Sequence, residues 1–454
     1  MTFPAHDHAA RRRRALERMG ERGALVLPAA PEITIGRDSE LPYLADPNLF
    51  YLTGCTDPEA VAVLSATAPG GPFVLFARER DPEVERWTGP RESPEALGER
   101  LGADSVFPLR ALKDQLPRLL RGAEVVHFPL DWGRAEVERL VLELMVGARR
   151  SRQRTGRGPR ALVDPGAVLD ELRLRKDEAE LARMRAAARV TVDAFAETHA
   201  ALADARDERQ VQALIEYGFR RRGASGASFP TIAAAGVNAT VLHYRRNDAP
   251  IGANDLLLLD AGATVDFYHA DVTRTWSAGG RATPAQADVQ QVVARAHRAA
   301  IAAVRPGATE AGVHRAALAE LLRGMEELGL LKGKADAALA AEDERLRARP
   351  SESDAQDGRQ PERPEWARWF PHRVSHWLGL EVHDVGDYAV RGESRVLESG
   401  MVLTIEPGLY IAADDERAPA AMRGVGVRIE DDVLVVPDGV DVLTSGLSTG
   451  LTAS

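Results

Sequence analysis

One cysteine, Cys55, stands among 454 residues. That scarcity excludes an internal disulfide framework and any thiolate-rich zinc cluster, and it fits a reducing cytoplasm. A lone thiol of this kind reads as a small core residue rather than a nucleophile. Nowhere does the chain approach the ~18 uninterrupted apolar residues needed to span a bilayer. Arg11 to Arg14 are followed by no apolar h-region, so they read as a basic helical turn and not as part of a secretory signal. Positive charge is also in deficit: 58 Lys and Arg against 68 Asp and Glu leave a net charge of −10, spread along the chain. Nucleic acid is therefore a poor candidate partner, because such proteins usually carry a basic footprint. What is present is an ordinary apolar content of 44% in a chain too long for one growing core, so two or more domains are expected.

Short apolar runs at 24–28, 60–64, 73–76 and 124–129, separated by helix-like stretches, predict an α/β domain over the first third of the chain, residues 1–160. The Arg- and Gly-rich text between Ala148 and Arg160 has no apolar period and reads as a linker. Beyond it, Leu169, Leu172, Leu181, Met184 and Ala188 recur at helical spacing, which predicts one long helix from Val168 to about Ala203. Thr283-Pro284 reads as an N-cap and first-turn proline, opening a helix that Pro306 stops. Residues 335–368 begin as a short Ala-rich helix and become polar and proline-bearing, the mark of an exposed insertion. The second domain, 161–454, thus holds helices alternating with two strand-rich blocks, 228–277 and 400–437.

Those blocks carry the chemistry. In Leu256-Leu-Leu-Leu-Asp260-Ala-Gly-Ala-Thr-Val-Asp-Phe-Tyr-His-Ala-Asp271 two strand-like runs flank a turn. A hairpin centred between Val265 and Asp266 sets Asp260 opposite Asp271, a like-charge pair that is destabilising unless a cation lies between them. A bulge that turns each aspartate to solvent is an equal reading of this element alone. Three of the 11 histidines crowd into residues 372–383, at His372, His376 and His383. In an unbroken strand His376 and His383 would point to opposite faces, so spacing does not unite them. Glu406 and Glu430 each end an apolar strand-like run, where a carboxylate is more often just the first solvated residue. Together, Asp260, Asp271, His376, Glu406 and Glu430 make an oxygen-dominated donor set suited to Mn²⁺, Co²⁺ or Zn²⁺ in a two-metal site.

The order of these motifs resembles the pita-bread superfamily of aminopeptidase P, prolidase, methionine aminopeptidase and creatinase, and aminopeptidase P of bacteria above all. The resemblance rests on His243-Tyr, Asp260-Ala-Gly, Asp271-Val-Thr-Arg-Thr, Ser375-His376-Trp-Leu-Gly-Leu-Glu-Val-His383-Asp-Val-Gly, Glu406-Pro-Gly-Leu-Tyr and Arg428-Ile-Glu430-Asp-Asp. It extends into the first domain through Asp38-Ser-Glu, Phe50-Tyr-Leu-Thr-Gly-Cys-Thr-Asp-Pro-Glu-Ala and Trp87.

It implies a pita-bread α+β catalytic domain after the α/β N-terminal domain, and a hydrolase that attacks Xaa-Pro peptide bonds with a metal-bridging hydroxide. Asp260, Asp271, His376, Glu406 and Glu430 would be the ligands, Asp271 and Glu430 bridging two divalent ions, Mn²⁺ first among the candidates and Zn²⁺ or Co²⁺ after it. His243 and His383 would line the cleft and Glu406 would carry protons. His372, Arg428, Arg152 and Asp38 would form a supporting shell. A homodimer or homotetramer in the cytoplasm is expected, acting on peptides and not on nucleic acid or membrane. Prolidase, which cuts only dipeptides, is the nearest alternative. Creatinase-like chemistry is disfavoured because all five ligands are present, and a non-catalytic scaffold is the remaining reading. The polar insertion at 335–368 is the chief departure from the pattern, and it bears on access to the site.

Overall fold

The computed structural model describes residues 6–130, 135–347 and 363–451. The chain divides into two compact units, Ala5–Arg173 and Leu174–Ser454. The division falls one strand and one helix beyond the 160/161 boundary read from composition. The cause is the strand Ala161–Val163, which pairs in parallel with Val125–His127 and so stays with the first unit.

That first unit is α/β. The apolar runs become the strands Gly23–Pro28, Val61–Ser65, Phe73–Ala77 and Val125–His127, buried along nearly their whole length. With Ser105–Pro108 and Ala161–Val163 they form one six-stranded mixed sheet, in which Gly23–Pro28 lies between Val61–Ser65 and Val125–His127. The expected linker is not one. The helix Ala135–Thr155 runs through most of it, because arginine is a good helix former, and only Gly156, at φ 71°, ends the helix.

The second unit is α+β. The long helix expected from Val168 is two helices: Gly166–Leu174, which ends the first unit, and Glu178–Ala200, which belongs to the second. Asp177 caps the second with a full capping box to Glu180, while the Lys176 amide leaves the helical ladder to donate to the carbonyl of Gly400. Thr283 caps Pro284–Ala303 as expected, again with a capping box, to Gln286. Residues 348–362 of the insertion lie outside the described residues. Its flanks are anchored: Leu339 and Trp366 are buried in the core of the unit.

Two small sheets position the site. In one, Leu256–Ala261 lies between Ile232–Ala235 and Val272–Ser277; in the other, Asp431–Val436 lies between Val402–Ile405 and Gly439–Val442. An isolated antiparallel bridge, Thr273 to Glu430, joins them. Alternation sorts their side chains. Leu257, Leu259, Ala261, Val272 and Trp276 pack on the helices Glu178–Ala200 and Glu208–Arg221. Leu403, Ile405, Val427, Val433 and Val435 join the core of Pro284–Ala303 and Glu310–Glu327. A strand's next side chain points the other way. Asp260, Thr273, Arg428, Glu430 and Asp432 therefore share the face that the helices leave free, and Asp271 and Glu406 extend it at strand ends.

The hairpin register differs from expectation. Asp266 and Phe267, at φ 47° and 71°, form a two-residue turn between Val265 and Tyr268. Arg183 holds the turn through Asp266, at 2.5 Å. The hairpin centre thus moves by one residue, and Asp260 pairs with Thr273 rather than with Asp271. Moving the centre by one shifts partners by two, so Asp271 remains on the face of Asp260 as a diagonal neighbour.

Gly262 is what lets the hairpin continue past Ala261. A Cβ there would sit 1.6 Å from the carbonyl oxygen of Ala270, the residue before Asp271. Gly262→Ala is expected to destabilise the protein by at least about 2 kcal/mol and to weaken divalent-metal binding by displacing Asp271. Thermal unfolding and metal content test this; an unchanged melting temperature with full metal content would refute it.

Candidate metal centre

The five predicted donors converge. His376 Nε2 lies 3.5 Å from Asp271 Oδ2, 3.9 Å from Glu406 Oε1 and 3.9 Å from Glu430 Oε1. Asp271, His376 and Glu430 each offer a ligand atom, all within 4.8 Å of one another. Asp260 joins them through Arg428, whose guanidinium reaches Asp260 Oδ2 at 2.5 Å.

His376 is set for coordination. Its Nδ1 lies 3.1 Å from the carbonyl of Trp377. A carbonyl only accepts, so Nδ1 carries the hydrogen and Nε2 turns its lone pair on the carboxylates. His383 comes to the site because residues 376–384 are not a strand. Gly379 N–H donates to Glu381, and Asp384 N–H returns to the carbonyl of Trp377 at 2.9 Å. The loop folds back until the His383 ring stands edge-on to His376, centroids 4.3 Å apart.

His372 approaches Glu406 at 3.6 Å and takes a hydrogen bond from the Tyr410 hydroxyl at 2.9 Å. Burial, and then the charge of Arg428, push this imidazole down to about 4, so it is neutral. His243 is exposed on the loop after Gly236–Thr240, near enough to His372 and His383 to disfavour their protonation. Arg152 and Asp38 belong to the first unit. Arg152 donates to the carbonyl of Pro159, and Asp38 is exposed in the turn between Thr34–Ile35 and Ser39–Glu40.

Several residues not singled out from the sequence complete the constellation. Thr273 Oγ1 donates to Glu430 at 2.8 Å and accepts from Arg428 Nε at 3.0 Å. Tyr410 accepts from Arg428 Nη1 at 3.0 Å. Asp432 takes the backbone N–H of Asp271 at 3.1 Å. Arg274, paired with Asp431 at 2.7 Å, also donates to the carbonyl of Glu430. Thr273 was recoverable from parity alone, since residue 273 shares the face of residue 271. Tyr410 carries no such signal.

The electrostatics are one-sided. Four carboxylates share one buried guanidinium, and the Oδ1 atoms of Asp260 and Asp271 are buried without a hydrogen-bond partner. Burial, then the neighbouring acids, drive Asp271 and Glu430 well above the carboxylate range; burial raises Glu406 to about 7. Unpartnered buried acceptors among raised carboxylates are what divalent cations would satisfy, and the hard oxygen donors with one imidazole suit such ions.

Residues 182–437 match the model of metallopeptidase family M24. The chain belongs to that family. Within M24 the likeness narrows, because residues 8–127 match the aminopeptidase P N-terminal domain. The Xaa-Pro aminopeptidase of Escherichia coli strain K12 is 36% identical over 440 residues, covering 96% of this chain and 94% of the relative. The structure of Pseudomonas aeruginosa aminopeptidase PepP matches with a TM-score of 0.87 at 38% identity, covering 98% of this chain and 96% of that one. Zinc-substituted E. coli aminopeptidase P in complex with product matches with a TM-score of 0.86 at 34% identity, over 98% and 96% of the two chains. The M24 chain is thus a metallopeptidase whose catalytic pita-bread domain follows an aminopeptidase P-type N-terminal domain.

A raised carboxylate in the metal-free fold holds a proton that the unfolded chain releases. Stability of the metal-free M24 chain should therefore be fullest below the ordinary value of 4.5 and fall as pH rises towards about 7, by about 1.4 kcal/mol per pH unit for each proton retained. Divalent ions replace those protons. The gap in melting temperature between metal-loaded and chelated protein should widen from near nothing at pH 4.5 to its full size near pH 7; a gap that stays constant would contradict this account.

Proposed function

We infer that this chain is a two-metal Xaa-Pro aminopeptidase, releasing the first residue of peptides that carry proline in second place. The observation that carries the reading is that Asp271, Glu406 and Glu430 gather about the imidazole of His376, with Asp260 tied in through Arg428, while the buried Oδ1 atoms of Asp260 and Asp271 find no hydrogen-bond partner among the described residues. Relatives similar over nearly the whole chain are named Xaa-Pro aminopeptidase, which supports the same specificity. Asp260, Asp271, His376, Glu406 and Glu430 would hold two divalent ions, with Asp271 and Glu430 shared; Mn²⁺ is proposed first, and Zn²⁺ or Co²⁺ suit the same donors. Held by these residues, such ions would supply a nucleophile from water at neutral pH and polarise the scissile carbonyl.

The chain's own side chains do the remaining work. Glu406 keeps about a fifth of its side-chain surface open and stands 3.9 Å from His376 Nε2, which suits it to take a proton and return it to the leaving prolyl nitrogen. His383 opens to solvent on one side and packs against His376 on the other, and this partial burial, followed by the charge of His376, lowers its affinity for protons. As a neutral imidazole it can donate one hydrogen bond to charge developing on the attacked oxygen. His243 lines the same cleft. Arg428 and Tyr410 orient Asp260 and His372, and Arg152 and Asp38 are kept as supporting residues. A Xaa-Pro bond lacks an amide hydrogen and carries a rigid ring, which impairs extended-strand binding of substrate. Direct grip on the amino terminus and the carbonyl replaces it.

Prolidase activity is the second reading, and it needs an arginine fork for the carboxylate on proline. Two arginines near the histidine segments are engaged elsewhere: Arg373 with the buried Glu310, and Arg246 with Asp248. That favours an open cleft and longer peptides. A homodimer or homotetramer in the cytoplasm belongs to the same proposal, and the exposed Trp87, Ile33 and Leu44 of the first unit support the association.

With saturating Mn²⁺, Ala-Pro-Ala should be cleaved faster than Ala-Pro at equal concentration, and chelated protein should be folded but inactive. Preference for the dipeptide would make the enzyme a prolidase; full activity without metal would end the two-metal reading. His383→Ala should lower kcat by ~10²–10³ with metal content unchanged, and loss of metal in that variant would reassign His383 as a ligand.

A further inference from the structure

Lys176 and Asp384 form an ion pair at 3.0 Å with only 1% of either side chain exposed. Neither belongs to the donor set. Two charges taken this far from water are costly to bury, and breaking such a pair is more costly still. The loop they anchor explains the placement. Asp384 follows His383 directly. Its N–H closes the loop onto Trp377, while its carboxylate packs on Gly379, where a Cβ would fall 2.1 Å from Oδ2. The Lys176 stem crosses the same glycine, with Cε 3.0 Å from that Cβ position. On the other side the loop is held by the His269 N–H, which donates to the carbonyl of Gly379 at 3.1 Å.

Lys176 is itself fixed. Its N–H donates to the carbonyl of Gly400 at 2.9 Å, the neighbouring Arg175 bridges to Met401, and Asp177 caps the helix Glu178–Ala200. The ammonium is thus pinned to the edge of the sheet that carries Glu406 and Glu430, and it holds the far end of the loop that starts at His376. His376 is held independently, by Thr404 Oγ1 on its N–H at 3.2 Å and by the carbonyl of Trp377 on its ring. Among the described residues His383 makes no such hydrogen bond through its side chain, and its place against His376 comes through the backbone of Asp384.

We propose that Lys176 and Asp384 are positioning residues for His383: the buried pair locks the return of the 376–384 loop so that the His383 imidazole stands beside the metal ligand His376. This rests on the role given to His383 above. Metal binding is expected to survive loss of the pair, because Lys176 and Asp384 supply none of the five donors.

The test is a double-mutant cycle on Mn²⁺-loaded enzyme with Ala-Pro-Ala. Asp384→Asn and Lys176→Met should each lower kcat at least ten-fold, with KM and metal content within two-fold of the parent. In a His383→Ala background the same substitutions should change kcat less than two-fold, and Lys176→Arg should retain most activity. Equal losses in both backgrounds, or loss of metal, would overturn the proposal. Should the single variants fail to fold, Lys176→Met combined with Asp384→Leu removes both charges together and enters the same cycle. If His383→Ala alone leaves kcat unchanged, the role of His383 fails, whatever the pair does.

Discussion

Negative charge held out of water is the constraint on which the second unit turns. Asp260, Asp271 and Glu430 are buried, Glu406 stands at their edge, and among the described residues Arg428 is the guanidinium that bonds to one of these carboxylates. Ionised together, such groups would repel strongly in a low-dielectric setting, and protonated together they would waste the acceptors that the fold has brought into register. The surrounding design follows from that tension. Arg428 spends its three nitrogens on Asp260, Thr273 and Tyr410. Asp432 receives a backbone N–H rather than a cation, and Arg274 sits behind Glu430, where it neutralises Asp431 and not the ligand.

Strand alternation turns this charge into a site. Each ligand strand sends one parity of side chains into a helix-covered core and the other to the shared free face. Asp431 obeys the rule although it is charged: one residue from Glu430, it points to the core side, where Arg274 and His297 meet it. A shift of one residue in any of these strands would exchange ligand for core residue, so register is held at several places at once. The positive-φ turn at Asp266–Phe267 and the glycine at 262 both act there.

Much of this was legible in the sequence, and the failures have physical causes. Four of the six strands of the first sheet and the Thr283 cap follow from apolar runs and capping chemistry, and the gathering of acids about His376 follows from a motif order specific to one superfamily. The hairpin centre was misplaced because a bulky Phe267 at positive φ is rare and nothing local announces it. The linker was misread because an arginine-rich segment without apolar period can still be a surface helix. The split after Leu174 depends on pairing with residues 400 and 401, far along the chain. His376 and His383 meet through a folded-back loop, not through any periodicity, so residue spacing alone could not unite them. Tyr410 was missed for the same reason: its hydroxyl matters because of what tertiary structure brings to it.

The bridge between Thr273 and Glu430 has a dynamic consequence. It is the one isolated backbone pairing between the two site-bearing sheets among the described residues, and the Glu430 N–H donates across it to the carbonyl of Thr273 at 3.0 Å. Any breathing motion that parts the sheets must open that bond, and it simultaneously draws Glu430 away from Asp271. Exchange of this single amide with solvent deuterium is therefore coupled to the integrity of the donor cluster: slow when cations tie the two acids together, faster when only protons and repulsion remain.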